Sequence, residues 1–413
     1  VKIIAKNGSD LRPKDGDFVT TTLVELTPDN KLGRIPANIV FLIDASSSMG
    51  GDKWSMVKQA VAEIVEVLKD DDRVSIVLFG SQAKEVFPLA SLAENRKTMR
   101  DSITQLENPS GVTNLEQGLK MAFAAFDKRS QADKNKRVNH VLLLTDGFPT
   151  DDQGYRMEKT NKYEEIVGKH ENVTLTGIGI GSADDYDSTF INRLSELGRG
   201  SYYHANDLAK FKEGMQAEIQ KLQSSVVGEL ILKFSDMGSK IMRIAKIAPE
   251  IVVYDVPGNA KGFELKTGSM TKDLTAFLVQ VSSKGDGNVG SDLELYSLEG
   301  VADGNGTEKV KVSIKSTDRE ADLSNVDPDV FRAIQALQVH LNGAQIRESI
   351  DSGDKAKATR LIENTAKIAS NLGQDKVTRA LGQLASDIKQ GKSVSDNLAT
   401  IQDESKKTRL LVR

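Results

Sequence analysis

Cysteine is absent from all 413 residues. That excludes disulfides, thiolate metal sites and thiol nucleophiles. Histidine is scarce. His140, His170, His204 and His340 are scattered, with no H-x-x-x-H or H-E-x-x-H spacing, so a histidine-based zinc site is not expected. No run of about 18 apolar residues occurs, so nothing in the sequence reads as a membrane-spanning helix. An excess of positive charge is missing too: 55 Lys and Arg face 59 Asp and Glu, for a net charge of −4. A nucleic-acid partner would ask for a basic surface instead. Lack of cysteine fits the cytoplasm and cysteine-free secreted microbial proteins alike. Val1 is not an initiator methionine, which is compatible with a removed segment. Residues 1–11 carry charge and read as a strand, not as a signal peptide.

What is present suffices for a packed core: 38% of residues are hydrophobic and 28% charged. The length suits two or three domains of about 100–200 residues each. Three textures divide the chain. In residues 36–224 short apolar runs alternate with amphipathic helices. Ile39–Ile43, Val74–Phe79, Val138–Thr145 and Val173–Ile180 have strand length, and Trp54, Val57, Val61, Ile64, Val65 and Leu68 have helical spacing. Strand–helix alternation predicts a doubly wound, mostly parallel α/β sheet, whose ligands sit at the carboxyl ends of its strands. Residues 225–320 read as short strands separated by turn signals, which suggests a β-sandwich. Segment 1–35, with its best strand at Phe18–Leu26, is too small to bury a core alone and is expected to complete that sandwich. The α/β domain would then be an insertion between two parts of one sandwich. Residues 327–413 read as a small helical bundle, entered at Pro328 with Asp327 as its cap.

The chemistry gathers at three strand ends. After Phe41-Leu42-Ile43 the sequence reads Asp44-Ala45-Ser46-Ser47-Ser48, a D-x-S-x-S pattern. In an extended or turning segment residues i, i+2 and i+4 point the same way, so Asp44, Ser46 and Ser48 can converge. One carboxylate and two hydroxyls form an all-oxygen set suited to a hard divalent ion. Thr113 offers a further hydroxyl from the loop Gly111-Val112-Thr113, and Asp146 follows the apolar run 141–144. Read alone, Asp44, Ser46 and Ser48 would equally cap the helix beginning near Lys53, and Thr113 the helix after it. Asp151, Asp152, Asp184 and Asp185 fall in loops at the same sheet end, where they would tune metal affinity or simply be solvated. Met49 and Tyr155 are candidates for the rim. The run Gly177-Ile178-Gly179-Ile180-Gly181 lacks the spacing into a helix that a dinucleotide fingerprint needs and is read as a strand end.

Together these residues resemble the metal-ion-dependent adhesion site (MIDAS) of the von Willebrand factor type A (VWA) family. The layout resembles microbial VWA proteins with a flanking β-sandwich and C-terminal helices. The likeness covers about residues 36–224. In the threonine loop, Ser110-Gly111-Val112-Thr113 lacks a second glycine that relatives often carry. The resemblance implies that Ser46, Ser48 and Thr113 bind the ion through hydroxyls. It implies that Asp44 and Asp146 act mostly through waters or hydrogen bonds to those hydroxyls. The implied cofactor is Mg²⁺, with Mn²⁺ or Ca²⁺ as alternatives. The implied partner is a protein presenting Asp or Glu to the open coordination position. Alternatives are an adaptor subunit for an AAA⁺ ATPase or assembly complex, and a metal-assisted hydrolase. Against the last, the three loops supply no histidine or lysine as base, and position 46 is serine where a D-x-D nucleophile pattern would need aspartate. Catalysis is therefore not expected.

Overall fold

Strands buried on both faces are nearly continuous apolar runs, whereas half-buried strands alternate, and both kinds occur here. A computed structural model describes residues 1–127, 137–151, 153–157, 160–257, 262–320, 323 and 325–407. It divides into two compact units, one formed by residues 33–228 and the other by residues 1–32 with those from 229 onward.

In the second unit, β1 (Lys2–Asn7) pairs antiparallel with β3 (Asp17–Thr27), while β2 (Leu11–Pro13) joins a different sheet.

Residues 33–228 build a six-stranded sheet from β4 (Ala37–Asp44), β5 (Arg73–Phe79), β6 (Ala83–Ser91), β7 (Val138–Thr145), β8 (Val173–Ile180) and β9 (Arg199–Ala205). The spatial order is β6-β5-β4-β7-β8-β9. Only β6 runs antiparallel to its neighbour. The sequence reading overlooked β6: its mixed polarity and Pro88 hide a strand, yet an edge position tolerates both. Among the described residues the α-helices are α1 (Asp52–Val67), α2 (Leu92–Thr104), α3 (Leu115–Asp127), α4 (Asn161–Gly168), α5 (Ser188–Leu197) and α6 (Leu208–Gln223). Alternation along β4 assigns the faces. Ile39, Phe41 and Ile43 share a core with Trp54, Val57 and Val61 of α1 and Phe211 and Met215 of α6. Leu42 points the other way, toward Gly118 of α3. Full burial of each such side chain stabilises by about 1.5–3 kcal/mol. Buried Asp72 fastens the start of β4. It accepts from the Ala37 N–H (2.8 Å) and the Lys69 N–H (3.0 Å) and pairs with Arg34. The Ile35 N–H donates to the Ser225 carbonyl at 2.8 Å, so the incoming and outgoing chain segments lie side by side.

From residue 229 the other unit continues with the rest of β10 (Ser225–Ser235), then β11 (Lys240–Ala248), β12 (Val252–Tyr254), β13 (Phe263–Thr271), β14 (Thr275–Lys284), β15 (Asp292–Ala302), β16 (Asn305–Gly306) and β17 (Val310–Thr317). Its two sheets are β1-β3-β14-β11-β12 and β13-β10-β15-β17-β2, with β16 on β15. Thus β3 pairs with β14 and β2 with β17, which distributes the N-terminal strands over both sheets. Among the described residues four α-helices follow: α7 (Pro328–Asp351), α8 (Lys355–Asn371), α9 (Asp375–Gln390) and α10 (Ser395–Lys406). Asp327 caps α7 by accepting from the Asp329 and Val330 N–H groups, and Pro328 occupies the first turn. Val330, Ala333, Ala336 and Leu337 pack with Leu23, Ala245, Ile247 and Leu278 of the sheet. Ile346, Ile362, Leu381, Leu384 and Ile401 form the core among the helices. These helices belong to the same compact unit as the sheets. Residues 408–413 of the expected helical segment lie outside the described residues. The fold class is a doubly wound, Rossmann-like α/β sheet inserted in a β-sandwich and followed by a small helical bundle.

Candidate metal centre

The chain leaves β4 for β5 on one side of the sheet and returns to β7 on the other. Open α/β sheets place ligands at such switch points, beyond the strand carboxyl ends. Asp44 is the last residue of β4, and Asp146 directly follows β7, its parallel neighbour. Both are wholly buried.

Backbone hydrogen bonds bring the three loops together. The Ser110 N–H donates to the Ala45 carbonyl (2.8 Å) and the Ser47 N–H to the Gly111 carbonyl (3.1 Å), joining the first loop to the second. Gly111 has φ +86, and an added Cβ would lie 2.1 Å from Ser81 Oγ, so glycine is required at this turn. The third loop is tied to the second through Thr150. Its N–H donates to the Thr113 carbonyl at 3.0 Å, and its hydroxyl accepts from the Thr113 N–H at 2.9 Å.

The oxygens converge. Ser46 Oγ and Ser48 Oγ are 3.0 Å apart, and the Ser48 hydroxyl donates to Asp146 Oδ1 at 2.7 Å. Asp44 Oδ1 accepts from the Ser46 N–H at 2.9 Å, and Asp44 Oδ2 from the Thr145 hydroxyl at 2.6 Å. Thr113 completes the group. A Cβ built on Gly147 would lie 3.4 Å from Thr113 Oγ1, 3.5 Å from Ser48 Oγ and 3.8 Å from Asp44 Oδ2. Asp44, Ser46, Ser48, Thr113 and Asp146 therefore gather at one place. Burial pushes the Asp44 carboxyl up to about 6, against hydrogen bonds from Thr145 and Ser46 that lower it. Two carboxylates and three hydroxyls are hard oxygen donors, a set that fits Mg²⁺, Mn²⁺ or Ca²⁺ rather than a thiophilic ion. Among the described residues no group of three or more His, Cys, Asp or Glu forms a candidate metal cluster, so hydroxyls are indispensable to any such site.

The capping alternative does not describe these residues. Gly51 is the N-cap of α1, without a side-chain cap, and the Gln117 N–H at the start of α3 is met by Asn114, not Thr113. Met49 is buried in the core and no part of a rim, whereas Tyr155 is 69% exposed. In the glycine run, Cβ atoms at 177 and 179 would strike Ile191 (2.3 Å) and the Tyr186 ring (2.2 Å), so these glycines admit close packing on β8. Asp151 accepts from the Gln153 and Tyr155 N–H groups, and Asp152 lies outside the described residues. One participant is missing from the sequence reading. Lys53, from the first turn of α1, places Nζ 2.6 Å from Asp146 Oδ2. A cation in a helix's first turn opposes the dipole, and that anomaly was the available signal. The loops themselves contain no lysine, but one reaches in from the adjoining helix.

The profile of the von Willebrand factor type A domain matches residues 38–218. The chain carries a VWA domain. Mouse (Mus musculus) inter-alpha-trypsin inhibitor heavy chain H2 is 31% identical over 179 residues, which are 42% of this chain and 18% of that one. An uncharacterized Synechocystis protein is 23% identical over 250 residues, covering 60% of this chain and 57% of its own. The chain thus spans less than two thirds of either relative. In fold it resembles a von Willebrand factor type A protein from Catenulispora acidiphila. That structure has a TM-score of 0.82 at 18% identity and covers 98% of this chain and 96% of its own. The likeness therefore extends beyond the VWA domain to the flanking sheets and helices. VWA domains are commonly involved in protein–protein interaction. No helix of the described residues is long and apolar enough to cross a membrane.

Proposed function

We propose that the VWA domain is a metal-dependent protein-recognition module that takes up a divalent cation, Mg²⁺ first and Mn²⁺ or Ca²⁺ as alternatives, and captures a partner's carboxylate through it. The observation that carries this reading is the gathering of Ser46, Ser48, Thr113, Asp44 and Asp146 from three loops around Gly147. Ser46, Ser48 and Thr113 would hold the ion. Asp146 orients the Ser48 hydroxyl, and Asp44 is fixed by Thr145 and the Ser46 backbone. When bound, the ion supplies a Lewis-acidic position for an external Asp or Glu side chain. Hydroxyl ligands leave more of its charge for that partner than carboxylate ligands would. Buried Asp44 receives these hydrogen bonds from neutral donors, so a divalent ion nearby offsets its desolvation.

Recognition is favoured over hydrolysis by the residues around the cluster. A metal-assisted hydrolase needs a base for the attacking water. Lys53, whose amine comes within hydrogen-bond reach of the cluster, is ion-paired with Asp146. The decisive experiment pairs calorimetry with capture of partners on the immobilised 413-residue chain. Wild type is expected to take up Mg²⁺ and to retain partners that EDTA releases, and Asp146→Ala to do neither. Equal retention by wild type and Asp146→Ala, insensitive to EDTA, would refute the proposal.

A further inference from the structure

Lys53 sits between two carboxylates of different exposure. Its Nζ is 2.6 Å from Asp146 Oδ2, wholly buried, and 3.7 Å from Asp185 Oδ2 on a side chain that is 54% exposed. The bare backbone at Gly181 makes room between them. A Cβ there would stand 3.1 and 3.2 Å from Lys53 Cε and Nζ, and 3.5 Å from Asp185 Oδ2. The link to the hydroxyl cluster is direct, because Asp146 accepts from Ser48 through one oxygen and from Lys53 through the other. The ammonium therefore already neutralises a carboxylate that a divalent ion would draw on, and the two cations repel across that shared acid.

We propose that Lys53 is a tethered competitor of the divalent cation, seated on Asp146 in the ion-free chain and transferred to Asp185 on ion uptake. The inference rests on the divalent-cation reading above and extends it to regulation of affinity. Asp146 already holds the Ser48 hydroxyl through Oδ1, but its negative charge becomes available to the ion only when Lys53 leaves Oδ2. Asp185 supplies that place at the exposed edge. The pair sets how much free cation is needed to fill the site, without either residue ligating it.

The test is Mg²⁺ calorimetry on the full chain for wild type, Lys53→Met, Asp185→Asn and the double variant. Lys53→Gln guards against a packing effect peculiar to methionine. Lys53→Met and Lys53→Gln should bind Mg²⁺ about tenfold more tightly, and Asp185→Asn about threefold more weakly. In the Lys53→Met background Asp185→Asn should have no effect. A merely attractive Asp185 would weaken binding in both backgrounds, which would overturn the transfer. Amine labelling read by mass spectrometry should show Lys53 more reactive with Mg²⁺ than with EDTA. Uptake by wild type with unchanged or weaker binding in both Lys53 variants would sink this inference and leave the cation reading standing. No uptake by any variant would sink both, and uptake confined to the Lys53 variants would support the competition.

Discussion

Ser48 and Asp146 are 98 positions apart in sequence, yet the Ser48 hydroxyl donates a 2.7 Å hydrogen bond to Asp146 Oδ1. The bond joins the loop after β4 to the loop after β7 and ties a hydroxyl to a buried acid. Removing the hydroxyl takes away both a ligand for the cation and the partner of that acid. Ser48→Ala should therefore lose the stabilisation that Mg²⁺ confers. A ligand at a hundredfold excess over its Kd raises the unfolding free energy by about 2.7 kcal/mol. Thermal unfolding of the wild type should show a shift of that scale between EDTA and Mg²⁺. Ser48→Ala should melt at the same temperature in both.

Gly147 lies among the oxygens of Thr113, Ser48 and Asp44, none nearer than 3.4 Å to an added Cβ. A methyl group is thus accommodated in the ion-free chain but occupies the centre of the cluster. Gly147→Ala should change stability in EDTA by less than about 1 kcal/mol while weakening Mg²⁺ uptake at least about tenfold. Wild-type affinity in this variant would show that the ion is held elsewhere.

Asp72 illustrates a buried acid with a structural task. It satisfies the Ala37 and Lys69 N–H groups and pairs with Arg34. Asp72→Ala strands two backbone donors and a half-buried guanidinium, at a cost of about 3 kcal/mol. Urea unfolding should register that loss as a lower midpoint with an unchanged slope. An unaltered midpoint would mean that water takes over these bonds.

Asp286 contributes to the pH dependence of the other unit. The Ser291 hydroxyl, the Asn288 N–H and the Arg12 guanidinium hold its carboxyl down to about 2, below the ordinary 3.8. Because the folded value lies below the unfolded one, its stabilisation is complete above the ordinary range and is lost as pH falls through about 2. An NMR titration of the side-chain carboxyl should find the midpoint near 2 in the wild type and higher in Arg12→Ala. Coincident curves would remove Arg12 from the set of causes.

Much of the α/β architecture is legible because its strands are buried on both faces. Val138–Thr145 and Val173–Ile180 can be located from their apolar and β-branched residues, despite Asn139, His140 and two glycines within them. The five oxygen-bearing residues are legible for the same reason, since each sits where an apolar run stops or a helix is about to begin. Partners that act through a neighbour leave no such mark. Thr145 meets Asp44, Thr150 carries the Thr113 loop, and Lys53 reaches Asp146 from a helix. Thr145 and Thr150 look like ordinary polar residues until tertiary contacts form, and Lys53 is marked only by its charge in a helix's first turn. The edge strand β6 escaped because Phe87 is its only buried side chain and proline interrupts it.

The hydrogen bond from Ile35 to the Ser225 carbonyl has a consequence for engineering. A module whose two ends meet can be lifted out of its host, or pasted into another, with a splice of only a few residues. Residues 33–228 are therefore a natural cassette for expression on their own.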